Sequence, residues 1–221
     1  HLTKILLIIG LGFSLLTGGY LFYLAKTTNV KDLQNALKAT TIIYDKNGDQ
    51  AGSLTGQKGT YVELDAISEN LQNAVVATED RSFYKNSGIN YGRFFLAILT
   101  LGRSGGGSTI TQQLAKNAYL SQDQTVERKA KEFFLALEIN KKYSKKEILT
   151  MYLNNAYFGN GVWGIEDASK KYFGVSASQL SLDQSAVLAG MLKGPEIYNP
   201  LYSVENATNR RNTVLQNMVA A

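Results

Sequence analysis

Ala77-Thr78-Glu79-Asp80-Arg81-Ser82-Phe83-Tyr84 is the stretch on which the reading of this chain turns. Before it, Ile67, Leu71, Ala74 and Val75 recur at helical spacing, so one apolar helix face delivers Glu79 at or just past the helix end. A carboxylate held there against Phe83 and Tyr84 is the kind of group that can take a proton in catalysis. The same charges also make an ordinary helix terminus with local ion pairs, which is the commoner arrangement.

Working outward, Gly105-Gly106-Gly107-Ser108 runs into Thr109-Ile110-Thr111-Gln112-Gln113-Leu114-Ala115-Lys116-Asn117. Thr109 with Gln112 forms a capping box, and a glycine loop meeting a helix start offers backbone N–H groups to an anion. Gln112 and Lys116 share a helix face. A phosphate-binding P-loop is excluded, because Ser108 stands where that motif requires lysine. A capped helix after a plain linker fits these residues too.

From Val126 to Lys141 the pattern is amphipathic. Val126, Ala130, Phe133, Phe134 and Leu137 form the expected apolar stripe, with Arg128 and Glu132 together on the far side. Four residues apart, that pair is expected as an exposed salt bridge worth only about 0.3 kcal/mol, unless it walls a cleft. Ser144 with Glu147 and Ser181 with Gln184 open two more helices, and Gly174 and Gly194-Pro195 stop helices. Residues 152–165 read as helix, glycine-rich turn, helix, with Tyr157 and Trp163 assigned to the core. Tyr91 to Leu101 is a further expected helix, and Gly102 to Gly107 a flexible loop.

Nearer the N-terminus, Thr41–Tyr44 and Gln50–Leu54 flank Asp45-Lys46-Asn47-Gly48, the signature of a β-hairpin, and Tyr61–Leu64 suggests another short strand. Ile5 to Ala25 carries no charge and is bracketed by Lys4 and Lys26. As a helix it reaches roughly 30 Å, the thickness of a bilayer core, so a transmembrane anchor is expected rather than a signal peptide. The chain of 221 residues lacks cysteine, and its one histidine is His1. Thiolate chemistry, Ser-His-Asp catalysis and histidine metal cages are excluded. The net charge of +5 favours an anionic partner. A start without Met reads as part of a longer chain.

Taken in order, these segments resemble the peptidoglycan glycosyltransferase family, the domain of class A penicillin-binding proteins and monofunctional transglycosylases. Glu79-Asp80-Arg81-Ser82-Phe83 matches its first motif, Gly107 to Asn117 its second, and Arg128-Lys129-Ala130-Lys131-Glu132 its third. Tyr152-Leu153-Asn154 with Tyr157-Phe158-Gly159 is similar to the fourth, and Ala186 to Gly190 with Pro195 and Asn199-Pro200 to the fifth. The wording of the stretch is close to streptococcal members. One departure is Asn86, which stands where the family pattern usually carries histidine and which cannot titrate.

The resemblance implies a mainly α, lysozyme-like fold with a head and a smaller jaw. It implies residues 1–4 as a cytoplasmic remnant, 5–25 as the membrane helix, 26–59 as linker and hairpin, and 60–221 as the glycosyltransferase domain. The implied substrate is lipid II with the growing glycan strand, at the outer face of the cell membrane. Glu79 is implied as catalytic base and Glu132 as the second catalytic carboxylate. Asp80, Arg81, Thr109, Gln112, Gln113, Lys116, Asn117, Arg128 and Lys129 are implied in substrate binding. A divalent cation, Mg²⁺ or Mn²⁺, is expected at Asp80 or Glu132, with no organic cofactor and no nucleic acid partner. Moenomycin is the implied inhibitor, and a transpeptidase domain would follow Ala221; other cell-wall synthesis proteins are further expected partners. Two rivals remain at this point: a lysozyme-type hydrolase and a non-catalytic, membrane-tethered glycan-binding module.

Overall fold

The structure is a computed structural model. It describes residues 58–92, 96, 107–119 and 126–221, the backbone of the strands 40–44 and 50–55, and residues 16, 18–20, 22, 23, 26, 27 and 46. The expected membrane segment and the Tyr91–Leu101 helix lie largely outside these residues, as does nearly all of the Gly102–Gly107 loop. Among the described residues no helix is long and apolar enough to cross a membrane.

The hairpin forms where the sequence places it. Strand β1 (Thr40–Tyr44) pairs antiparallel with β2 (Gln50–Thr55), with an irregularity between Ile43 and Tyr44. The expected strand at Tyr61–Leu64 does not form; Leu64–Ala66 is instead a short 3-10 turn. The reason lies in Asn154. Its Oδ1 accepts from Val62 N–H at 2.9 Å and its Nδ2 donates to Val62 C=O at 2.8 Å, so one side chain replaces a neighbouring strand.

Among the described residues, the named elements that follow are helices: α1 (Glu69–Glu79), α2 (Ile110–Tyr119), α3 (Val126–Lys142), α4 (Lys145–Asn155), α5 (Ile165–Phe173), α6 (Leu182–Met191) and α7 (Val204–Val219). Helix α4 is the hub. Every residue from Ile148 to Asn154 is buried, the mark of a helix surrounded on all sides. Helix α2 packs between α3 and α4, while α1 packs against α6 and α7. The two groups share one apolar core that includes Leu71, Val75, Leu114, Ile139, Leu149, Leu153 and Leu188.

Local chemistry sets the helix starts. Ser144 with Glu147 and Ser181 with Gln184 form complete capping boxes. At α2, Thr109 N–H donates to Gln112 Oε1 at 3.0 Å and Gln112 N–H donates to Thr109 Oγ1 at 3.1 Å. Gly174 ends α5 in the left-handed region, φ 71°.

Helix α3 departs from its expected face. Glu132, Leu135, Ala136 and Ile139 are buried, whereas Ala130, Phe133, Phe134 and Leu137 stay half-exposed. The Arg128–Glu132 pair forms at 3.0 Å, but the Glu132 side chain is 2% exposed, so it is not the solvent-exposed bridge the spacing suggests.

Candidate active site

Glu79 is the last residue of α1 and meets the rest of its surroundings across helix boundaries. Its Oε2 accepts from Gln113 Nε2 of α2 at 2.8 Å. The other end of that amide is fixed, since Tyr152 of α4 donates its hydroxyl to Gln113 Oε1 at 2.9 Å. Arg210 of α7 stands 4.0 Å from Glu79 Oε1, both side chains nearly buried at 11% and 13% exposure. Burial, then the neighbouring Glu79 charge, hold the Tyr152 phenol well above its usual pKa, so it stays a donor.

Arg210 gets there through a close crossing of α6 and α7. A Cβ on Gly190 would lie 2.9 Å from Arg210 Cγ, so a side chain at 190 would push the arginine off its course. Tyr198 supports the same guanidinium from below, with its ring centroid 5.6 Å away.

Beside Gln113 and Tyr152 opens a cavity of about 410 Å³, lined by Lys116, Asn117, Tyr157, Trp163, Lys193 and Pro195 among others. Lys116 and Asn117 follow Gln113 on α2 and so reach the same opening. Tyr157 and Trp163 are not core residues as expected. Their rings pack 4.9 Å apart on the cavity wall, with Lys58 over Trp163 at 4.0 Å. Gly159 makes the turn that puts them there. Its φ is 78°, and a Cβ would meet Pro195 O at 2.7 Å.

Glu132 lies against α2 beside Gln112. Arg128 Nη1 donates to its Oε2 at 3.0 Å, Lys129 Nζ donates to its Oε1, and Gln112 Nε2 donates to Oε1 at 3.4 Å. Lys129 also donates to Ser108 Oγ at 2.8 Å, which ties α3 to the start of α2. Neighbouring glutamines of one helix thus hold the two carboxylates: Gln113 holds Glu79, Gln112 holds Glu132. Among the described residues, Arg128 and Lys129 point to Glu132 and do not line the Lys116 cavity.

The remaining expected residues have other partners. Asp80 is buried and accepts from Ser82 Oγ, from Asn86 Nδ2 at both oxygens, and from Ile110 N–H. Thr109 donates to Gly88 C=O at 2.6 Å, so with Gln112 it builds the α2 terminus. Arg81 turns away from Glu79: Nε donates to Ala77 C=O and Nη2 to Asn217 Oδ1.

The expected divalent cation was placed at Asp80 or Glu132. Neither donor set fits one. Asp80 is filled by four N–H or O–H contacts, and Glu132 by two fixed cations that would repel a metal ion. Among the described residues no group of three or more acidic, histidine or cysteine side chains could hold a metal.

Sequence reasoning missed Arg210 and Lys193, and named Tyr152 only within the fourth motif. Arg210 carried a signal: Ala207 and Val214, three before and four after it, are the buried positions of α7, so the arginine lies on the apolar stripe.

Residues 47–219 match the transglycosylase family model, and the chain belongs to that family. It is 80% identical over all 221 residues to penicillin-binding protein 2a of Streptococcus pneumoniae, and covers 30% of that protein. It is 46% identical over 181 residues to penicillin-binding protein 1A of Aquifex aeolicus, covering 80% of this chain and 25% of the relative. A crystal structure of penicillin-binding protein 1A from Haemophilus influenzae aligns with 82% of this chain and 18% of its own, at 25% identity and a TM-score of 0.42. The chain therefore spans less than a third of the length of these relatives.

Proposed function

We propose that this site polymerises lipid II, joining the growing strand as donor to an incoming lipid II as acceptor. Glu79 takes the proton from the acceptor's 4-hydroxyl, and that oxygen attacks the donor's anomeric carbon from the face opposite the diphosphate. The glycosidic bond forms as the carbon–diphosphate bond breaks, giving a β-1,4 link with inversion. Undecaprenyl pyrophosphate leaves with the bonding electron pair.

Negative charge grows on that leaving group, so cations must already be in place. Lys116 and Lys193 at the cavity supply them, and Asn117 adds hydrogen bonds to donor sugar or phosphate. Tyr157 and Trp163 offer aromatic faces to the donor's sugars. Glu132 keeps Arg128 and Lys129 oriented at the start of α2, the expected side of the leaving group. Moenomycin is expected to compete for the donor side, and the protein is expected to work at the outer face of the membrane, joined to a transpeptidase.

One observation carries this reading: Glu79 is clamped through Gln113 to Tyr152 at the edge of a cavity holding two lysines. Glu79→Gln keeps the shape and removes the base. Polymer formation from lipid II, resolved on gels, is expected to fall at least about a thousandfold with the circular dichroism spectrum unchanged. Near-normal glycan synthesis by this variant would end the assignment.

A further inference from the structure

Residues 58–62, on the way into α1, lie across the aromatic wall of the Lys116 cavity and are fastened there at three points. Thr60 N–H donates to Asp167 Oδ2 of α5 at 3.2 Å, and both backbone polar groups of Val62 are held by Asn154. Gly59 comes closest to the wall, since a Cβ on it would lie 2.1 Å from Trp163 O. Only a residue without a side chain passes so near another backbone. The backbone of Lys58 is thereby pinned one residue from the wall. Its ammonium rests over the Trp163 ring, 4.0 Å from the centroid.

Among the described residues no carboxylate pairs with that ammonium. Asp167 is engaged by Thr60, and Glu196 accepts from the Tyr157 hydroxyl at 2.9 Å. The cavity that Trp163 lines holds Lys116 and Lys193 and no acidic residue, so Lys58 brings a third positive charge to its rim. A cation resting on an exposed indole is held weakly, whereas an ammonium donating to a carboxylate gains a charge-assisted hydrogen bond. An incoming carboxylate therefore draws Lys58 off the ring, and the uncovered indole face is left for the apolar face of a sugar. Both events suit one ligand, a sugar that carries a carboxylate on an arm. With Lys116 and Lys193 serving the diphosphate and Trp163 the donor's sugars, the group left for Lys58 is the acid of the peptide that the sugar bears.

We propose that Lys58 is a specificity-determining residue for the donor strand, exchanging the Trp163 ring for a stem-peptide carboxylate as a sugar takes the ring's face. The inference rests on the polymerase reading above and adds that the donor site reads the peptide as well as the diphosphate.

The test uses a labelled lipid-linked tetrasaccharide whose terminal 4-hydroxyl is blocked, so that it serves only as donor, with lipid II as acceptor at saturation. One form of the donor keeps its stem-peptide carboxylates, and the other has them converted to carboxamides. Wild type is expected to favour the carboxylate form about fivefold in kcat/KM, through KM, the scale of one partly exposed ion pair. Lys58→Gln is expected to lose that preference by weakening the carboxylate donor alone. Lys58→Arg is expected to keep it and Lys58→Glu to reverse it, each with the wild-type thermal midpoint. A preference that survives in Lys58→Gln and Lys58→Glu overturns the proposal, as does a wild type that transfers both donors equally well. Equal weakening of both donors by Lys58→Gln assigns the lysine to the diphosphate and overturns it too. A wild type that transfers neither donor overturns the polymerase reading and this one with it.

Discussion

Asn86 replaces a residue that could titrate with one that only bridges, and the bridge is extensive. Its Nδ2 donates to both oxygens of Asp80 and to Ser82 Oγ, while its Oδ1 accepts from Gly88 N–H and from Lys145 Nζ. The loop that follows Glu79 is thereby fastened to the start of α4. Asn86→Ala strips the buried Asp80 of its best donor and is expected to cost about 2–3 kcal/mol, read from urea unfolding. Lys145 is part of this account. Burial lowers its pKa below 10.5, with Asp80 opposing more weakly. The folded state thus sheds that proton before the unfolded state does, and stability from this group rises as pH climbs through the depressed value toward 10.5. The sequence showed the departure at 86; the Lys145 contact, 59 residues away, it could not.

Among the elements, helix starts and stops were the most legible part of the fold, because a capping box satisfies its donors within four residues and needs no tertiary partner. The face of α3 was the least. Hydropathy assigns Glu132 to water, yet it is buried because Arg128, Lys129 and the distant Gln112 together complete its hydrogen bonds. Two of those partners were visible on the helix itself; the third belongs to α2. The Tyr61–Leu64 strand failed similarly, since Asn154 supplies its hydrogen bonds from 92 residues away. The turn between α4 and α5 is legible in its glycines but not in its consequence, a cavity wall. Gly159→Ala combines a positive φ with a backbone clash at Pro195. It is expected to lower stability by about 2 kcal/mol, seen as a drop in Tm, and to disturb the Tyr157–Trp163 pair with it.

For the whole molecule, the site exists where α1, α2, α4 and α7 converge: Glu79, Gln113, Tyr152 and Arg210 come from four helices. Motif order groups Glu79, Gln113 and Lys116, and Gln113 both bonds Glu79 and lines the cavity with Lys116. Arg128, grouped with them by motif order, pairs with Glu132 and is not among the residues lining the Lys116 cavity. The carboxylates named for a metal are consumed by protein donors, which makes a prediction for the chain without substrate. Its Tm is expected to be the same in EDTA as in millimolar Mg²⁺ or Mn²⁺, because an ion bound at Asp80 or Glu132 would raise it by mass action. A metal-dependent rise in Tm that Glu132→Gln removes would place an ion there after all.

The Tyr152–Gln113–Glu79 series has a direction. A phenol pointing at the amide oxygen leaves the NH₂ group no choice but to face the carboxylate, so Oε2 is already spoken for by a donor. Any hydrogen Glu79 acquires must settle on Oε1, the oxygen turned toward Arg210. Neutralising that oxygen loosens its hold on the guanidinium, so each turnover would briefly free an arginine beside the base.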